Sequence, residues 1–121
     1  MDTNFVLRDG SANLTADETL TSIRVGPMKS PMWLKVLVPA ISSGDVLDVE
    51  LEFCDASAST TEVQNANMKQ IGTVGLHQIP FFTLYEYLQV KLNETDNGGP
   101  NFGAVKVWID PAPTHPDGKQ S

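Results

Sequence analysis

Apolar residues recur at every second position in several short runs of the chain, and turn-forming residues separate these runs. The run Asp45–Asp55 (DVLDVELEFCD) shows the pattern most clearly, since carboxylates alternate with apolar residues along it. No segment of helical length repeats its apolar residues with the 3.6-residue period of a helix. Alternation with a period of two is typical of strands in a half-buried sheet. The pattern therefore predicts an all-β chain.

The predicted strands cover most of the chain. Met32–Val38 is apolar on nearly both faces, as expected of a central strand. Trp33, Lys35 and Leu37 are predicted to face away from the core. The carboxylate-containing run follows as its antiparallel neighbour or as the next strand across a sandwich. The other strands are predicted over Phe5–Leu7, Thr19–Val25, Lys69–Val74, Leu76–Phe82, Tyr85–Leu92 and Phe102–Ile109.

About eight strands separated by turns predict a single-domain antiparallel β-sandwich with a jelly-roll-like arrangement. Residues 1–10 are predicted as an N-terminal arm or an edge strand, and residues 11–110 as the sandwich. Residues 111–121 contain three prolines and few apolar groups, which predicts an extended or flexible tail. The small, polar segment Ala56–Asn67 is predicted as a surface loop.

Composition narrows the classes of protein that remain. The chain has 121 residues, which suits one domain, and a formal net charge of -7 from 15 acidic and 8 basic residues. Nucleic-acid binding is not expected, because the basic residues are spread thinly rather than clustered. No apolar run approaches a membrane span, and the first ten residues lack a signal-peptide pattern, so synthesis in a cytoplasm without membrane attachment is expected.

The three carboxylates Asp48, Glu50 and Glu52 are the first candidates for chemistry. They share one face of a strand, and same-face neighbours lie about 7 Å apart, within the range of a hydrolase carboxylate pair. A catalytic acid also needs a cleft and apolar surroundings that raise its pKa, and nothing nearby in the sequence supplies them. These carboxylates are therefore predicted to form the solvated side of the sheet.

Other catalytic and metal-binding patterns are missing from the sequence. His77 and His115 are far apart, and neither has a cysteine or histidine at ligand spacing. The segment NETDNGGPN lacks the ligand spacing of a calcium loop, and no nucleotide-binding or nucleophile motif occurs. The single cysteine, Cys54, is interpreted as a packing residue. The prediction is a protein that is not an enzyme and has no catalytic residues, no cofactor and no metal.

Aromatic residues are the remaining candidates for a binding site. Trp33, Tyr85, Tyr87 and Trp108 fall on strand faces of mixed polarity, and alternation places both tyrosines on the face opposite Leu88. Such residues pack within the sandwich, stack on a sugar as in jelly-roll carbohydrate-binding modules, or contact another protein. All three interpretations remain open at this point.

Four segments together resemble a known family. They are FVLRDGSANLT, VPAISSGDVLDVELEFCDAS, FFTLYEYLQVKLNET and FGAVKVWIDPAP. They resemble the decoration, or cement, proteins of tailed bacteriophages over about residues 3–113. The resemblance implies a virion structural protein on the outer surface of the capsid, where it bridges and stabilises the major capsid proteins. It also implies a homo-oligomer, with a trimer favoured and a dimer as the alternative.

The N-terminal segment is the first candidate for contact with a neighbouring chain. Phe5, Val6 and Leu7 offer backbone pairing and side-chain anchors, and Arg8 follows them. A local strand within the chain's own sheet is the alternative. The predicted contact residues are Phe5, Val6, Leu7, Arg8, Trp33, Tyr85, Tyr87 and Trp108. The second functional hypothesis is a carbohydrate-binding jelly-roll module or another virion adhesin.

Overall fold

The computed structural model describes residues 5–41, 45–55, 64–68, 70–95 and 102–111. Strands are the main secondary structure in these ranges, which confirms the all-β prediction. Their bounds are β1 Val6–Asp9, β2 Glu18–Thr19, β3 Ile23–Arg24, β4 Met32–Val38, β5 Val46–Cys54, β6 Gln64–Asn67, β7 Gly75–Phe81, β8 Tyr87–Thr95 and β9 Lys106–Asp110. Within the described ranges, no helix has the length and apolar content that a membrane span requires.

The strands form two antiparallel sheets. The first sheet has the order β1-β9-β4-β7, and the second has the order β2-β8-β5-β6. β3 also pairs with β8, along the edge that β2 uses, so β2 and β3 share one strand position. The pairs β1–β9, β2/β3–β8, β4–β7 and β5–β6 are those of a long antiparallel ribbon folded over on itself. This is the jelly-roll arrangement, and it confirms the predicted sandwich.

The core lies between the two sheets, and alternation decides which residues enter it. Along most of β4, β5, β8 and β9, every second residue is apolar and buried, as the pattern predicts, whereas β7 has His77 and the half-buried Ile79 at such positions. The buried inward positions include Leu34, Val36, Val38, Val49, Leu51, Phe53, Leu88, Val90, Leu92, Val105, Val107 and Ile109. Phe53 of the second sheet and Phe81 of the first stack with ring centroids 6.0 Å apart. The two sheets are therefore held together mainly by apolar contact.

β4 and β5 lie in different sheets, so the run Asp45–Asp55 is the next strand across the sandwich. Two predictions of secondary structure are wrong. Gln64–Asn67 was predicted within a loop but forms β6, which pairs with β5. The strand predicted over Lys69–Val74 does not form in its described part, where Ile71 makes only an isolated bridge to Leu47. In both cases pairing with the long strand β5 decides the structure, and the local residue pattern does not show this partner.

A tight turn ends β1. Gly10 has a φ of 77°, a left-handed conformation that favours glycine. The Ser11 N–H donates to Asp9 Oδ1 at 3.0 Å. Hydrogen bonds from the Ser11 side chain and backbone hold the pKa of the Asp9 carboxyl below its usual value. The DGS motif is therefore a structural turn that directs the chain out of the first sheet.

Candidate interaction surfaces

The outer face of the first sheet carries both tryptophans. Residues paired across neighbouring strands point to the same face of a sheet, so the register shows which side chains share it. Trp33 lies opposite Asp110, and Lys35 lies opposite Trp108. We call the outer face of this sheet the Trp face; its members are Val6, Asp9, Trp33, Lys35, Leu37, Leu76, Gln78, Pro80, Lys106, Trp108 and Asp110. It is the more apolar of the two outer faces.

A buried ion pair lies within the Trp face. Lys35 is on the outer face, as predicted, but only 2% of its side chain is exposed. Its Nζ lies 3.1 Å from Asp110 Oδ2, and Trp108 Nε1 donates to the same oxygen at 3.0 Å. Trp33 pairs with Asp110 and Trp108 pairs with Lys35, so these four residues lie next to one another on β4 and β9. The ion pair therefore fixes the Trp108 ring while it compensates a buried ammonium.

Lys106 fixes the Trp108 ring from a second side. Its Nζ lies 5.6 Å from the centroid of that ring, within cation–π range. Lys106 also lies opposite Leu37, which is 39% exposed. The Trp face thus combines an aromatic centre held in place with exposed apolar and charged side chains around it.

A second apolar surface lies on the loop between β7 and β8. Phe82 is 46% exposed and Leu84 is 68% exposed, while Thr83 between them is buried. We call Phe82 and Leu84 the apolar tip. Neither was among the predicted contact residues, because Phe82 was predicted as the last residue of a strand and Leu84 fell between two predicted strands. The exposure depends on where β7 ends, and the local pattern does not mark that point.

Hydrogen bonds hold the loop that carries the apolar tip. The Thr83 N–H donates to Met28 Sδ at 3.3 Å, and the Met28 N–H donates to the Thr83 carbonyl at 3.0 Å. The N–H groups of Val25 and Gly26 both donate to the Glu86 carbonyl, at 2.7 and 3.1 Å. The loop therefore presents its two apolar side chains from a backbone tied to a neighbouring segment.

The N-terminal contact candidates lie in the chain's own sheet. β1 pairs with β9, so the edge-strand alternative describes Val6–Asp9. Phe5 and Leu7 pack against the core, and Val6 belongs to the Trp face. β1 is the edge strand of its sheet, and its pairing with a neighbouring chain stays a prediction.

Arg8 links the two sheets. Its Nε and Nη2 donate to the two carboxylate oxygens of Glu18, both at 3.0 Å. Its Nη1 donates to the carbonyls of Ala12 and Val105, at 2.8 and 2.7 Å. Arg8 belongs to β1 of the first sheet and Glu18 to β2 of the second. The guanidinium thus crosses a groove of about 640 Å³ between these two edges and is engaged within its own chain.

The substitution Arg8→Lys is expected to lower the free energy of unfolding by about 1–2 kcal/mol, because lysine keeps the charge but cannot reproduce the forked contact. Urea unfolding measures this change. Arg24→Lys is the matched control, since the Arg24 pair with Glu86 is longer, at 3.9 Å, and exposed. Equal effects of the two substitutions would show that Arg8 does not link the sheets in the way described.

The two tyrosines do not share a face, so that prediction is wrong. Tyr87 lies on the outer face of the second sheet, opposite Cys54 and Arg24. Tyr85 packs against the core. Strand β8 begins only at Tyr87, because the carbonyl of Glu86 is held by the loop around Gly26. Alternation therefore cannot be extended back to Tyr85, and the four candidate aromatics form no common platform.

The carboxylates of β5 lie on the outer face of the second sheet, as predicted, but they are not all solvated. Asp48 and Glu50 are half-buried, whereas Glu52 is buried. Lys91 Nζ lies 2.9 Å from Glu52 Oε2, and this ion pair offsets the desolvation cost of burying the carboxylate. In the part of the chain that the structure describes, no group of three His, Cys, Asp or Glu residues could hold a metal ion.

The described surface combines exposed apolar side chains with charged side chains that form ion pairs. Among the described residues, the exposed large apolar side chains are Leu37 on the Trp face, Phe82 and Leu84 at the apolar tip, and Val74. Neither protein-family models nor curated proteins yield a match to this chain.

Proposed function

We propose that this chain is a virion structural protein of a tailed bacteriophage, a decoration protein that binds the major capsid protein on the outer surface of the capsid. The apolar tip carries the proposal. Two large apolar side chains, Phe82 and Leu84, are exposed on a loop that hydrogen bonds tie down. Such side chains are typical anchors of a protein contact. The resemblance of the four sequence segments to decoration proteins supports the capsid as the partner.

The physical role follows from linkage. A protein that binds the assembled lattice but not the free subunits stabilises the lattice by RT ln(1 + [L]/Kd), about 2.7 kcal/mol per site at a concentration of a hundred Kd. When one copy contacts two capsomers, the first contact raises the effective concentration for the second and so tightens binding to the lattice. A small, rigid domain with modest contact surfaces is sufficient for this task, because many copies act on one shell.

Substitution of the apolar tip tests the proposal. The binding partner in the test is the expanded capsid without this protein. Leu84→Asp and Phe82→Asp are each expected to weaken binding to it by about tenfold or more, since a charge replaces an apolar side chain that the contact would bury. Co-sedimentation with the capsids measures the binding. Val74→Asp is the matched control, because Val74 is 58% exposed and lies on a different loop. Full binding by the Leu84→Asp and Phe82→Asp variants would contradict the role of the tip.

Carbohydrate binding is the second candidate, and the shared position of Trp33 and Trp108 on the Trp face favours it. Two observations weigh against it. Lys106 already lies over the Trp108 ring, and the tyrosines lie elsewhere. A glycan array probed with the isolated chain separates the candidates. Glycan binding that Trp33→Ala abolishes would favour an adhesin, whereas the decoration protein is expected to bind no glycan.

A further inference from the structure

We propose that the Trp face binds a second copy of this chain, face to face, around a two-fold axis. This inference goes beyond the proposed function and does not depend on it. It starts from the order of side chains along the outer face of β9, where Lys106 and Asp110 flank Trp108. A two-fold interface requires a surface that is complementary to itself, and this order meets the requirement.

The axis that fits runs between the Trp faces of the two copies. It is parallel to the plane of the facing sheets and perpendicular to their strands, and it passes over Trp108. It stacks β9 antiparallel on β9 of the second copy. Lys106 then faces Asp110 of the second copy, and the reverse pair forms at the other end. The Lys35 ammonium and the Trp108 N–H both contact Oδ2 of Asp110, and 26% of the Asp110 side chain remains exposed to an incoming ammonium.

The same axis matches the apolar side chains. On β4, Trp33 faces Leu37 of the second copy, because Lys35 lies midway between them. On β7, Pro80 faces Leu76 of the second copy, with Gln78 midway. Leu37 is 39% exposed in the single chain, and this contact would cover it. Apolar residues thus meet apolar residues, and Lys106 meets Asp110, while the position opposite Asp9 falls outside the described residues.

Lys35 is the one charge that faces itself across the axis. Its ammonium is buried and already paired with Asp110, so little of its charge reaches the second copy. An axis parallel to the strands and centred on β4 fits worse. It would place Asp110 against Pro80 and Lys106 against Leu76 of the second copy, which leaves charges against apolar groups. The order of residues therefore selects the perpendicular axis.

The size of the Trp face indicates a reversible dimer. Eleven outer positions at a strand spacing of about 4.8 Å and a same-face repeat of about 6.8 Å cover about 360 Å². A standard stable interface buries about 800 Å² on each partner. The net charge of -7 on each chain also opposes association. Dissociation on dilution is expected, and the dimer would carry two apolar tips, one from each copy.

Sedimentation equilibrium of the full chain, from millimolar to micromolar concentration, tests the inference. The unsubstituted chain is expected to show a monomer–dimer equilibrium. Leu37→Asp and Lys106→Asp are each expected to raise the dimer Kd about tenfold or more, and Val74→Asp, outside the Trp face, is expected to leave it unchanged. The two tryptophans both lie on this face, so a red shift of their fluorescence on dilution gives a second readout.

Thermal unfolding of each variant shows whether it still folds. Three results would overturn the inference. They are a monomer at millimolar concentration, a trimer as the resemblance to decoration proteins favours, or a dimer that tolerates both Leu37→Asp and Lys106→Asp. None of these results bears on capsid binding by the apolar tip, so failure of the dimer and failure of the proposed function remain distinguishable.

Discussion

Replacement of Asp110 by asparagine is expected to lower the free energy of unfolding by about 2–4 kcal/mol. The substitution removes the negative charge 3.1 Å from the Lys35 ammonium, of which only 2% of the side chain is exposed. It also weakens the acceptor of the Trp108 N–H. The expected loss lies toward the lower end for a buried pair, because 26% of the Asp110 side chain reaches solvent. Chemical denaturation measures it.

A double-mutant cycle separates the ion pair from general damage to the sheet. Lys35→Met removes the buried charge and keeps most of the side-chain volume. If the ion pair is the cause, Asp110→Asn in the Lys35→Met background should cost at least about 1.5 kcal/mol less than in the natural chain. Equal costs in both backgrounds would show that Asp110 acts without Lys35.

The second large effect is expected at Gly26. A Cβ built at this position would lie 2.2 Å from the Tyr85 carbonyl oxygen and 3.2 Å from the Met28 nitrogen. Both are backbone atoms, so the loop that carries the apolar tip must move. Gly26→Ala is expected to lower the free energy of unfolding by about 2–4 kcal/mol and to weaken capsid binding in the fraction that folds.

Gly72→Ala is the matched control for this substitution. No atom lies within 4 Å of a Cβ built at Gly72, so its replacement should leave stability unchanged or raise it slightly. Thermal unfolding of the two variants side by side gives the comparison. Equal stability of the Gly26→Ala and Gly72→Ala variants would contradict the close packing described for the tip loop.

The sequence alone was sufficient for most of the fold because the strands are long and strongly patterned. Val49, Leu51 and Phe53 alternate with carboxylates, and this alternation correctly assigns them to the core. Met32–Val38 matches the bounds of β4. Both results rest on the two-residue period of a strand, which is a local property and can be recognised without knowledge of the partner strand.

Features that depend on a partner strand could not be predicted. Alternation places Lys35 and Glu52 on outer faces, but their burial requires Asp110 and Lys91 from other strands. The polar strand Gln64–Asn67 carries no apolar period, and its pairing with β5 alone defines it. Such contacts join residues that are distant in sequence, so no local pattern records them.

The candidate site was predicted in part. Trp33 and Trp108 were selected from alternation, and the register brings them together with Val6 on one face. Tyr85 was selected from the same reasoning and Arg8 as part of the N-terminal segment, and both are engaged within the chain. The apolar tip was missed, because its exposure depends on the end of β7. The role on a capsid stays a prediction.

Particle stability tests the central claim most directly. Expanded capsids filled with DNA, with and without this chain, are heated in low salt, and the temperature of DNA release is recorded. The account predicts that capsids carrying the chain in stoichiometric amount release DNA at a higher temperature, and that adding the purified chain to depleted capsids restores that temperature. Identical release temperatures with and without the bound chain would contradict it.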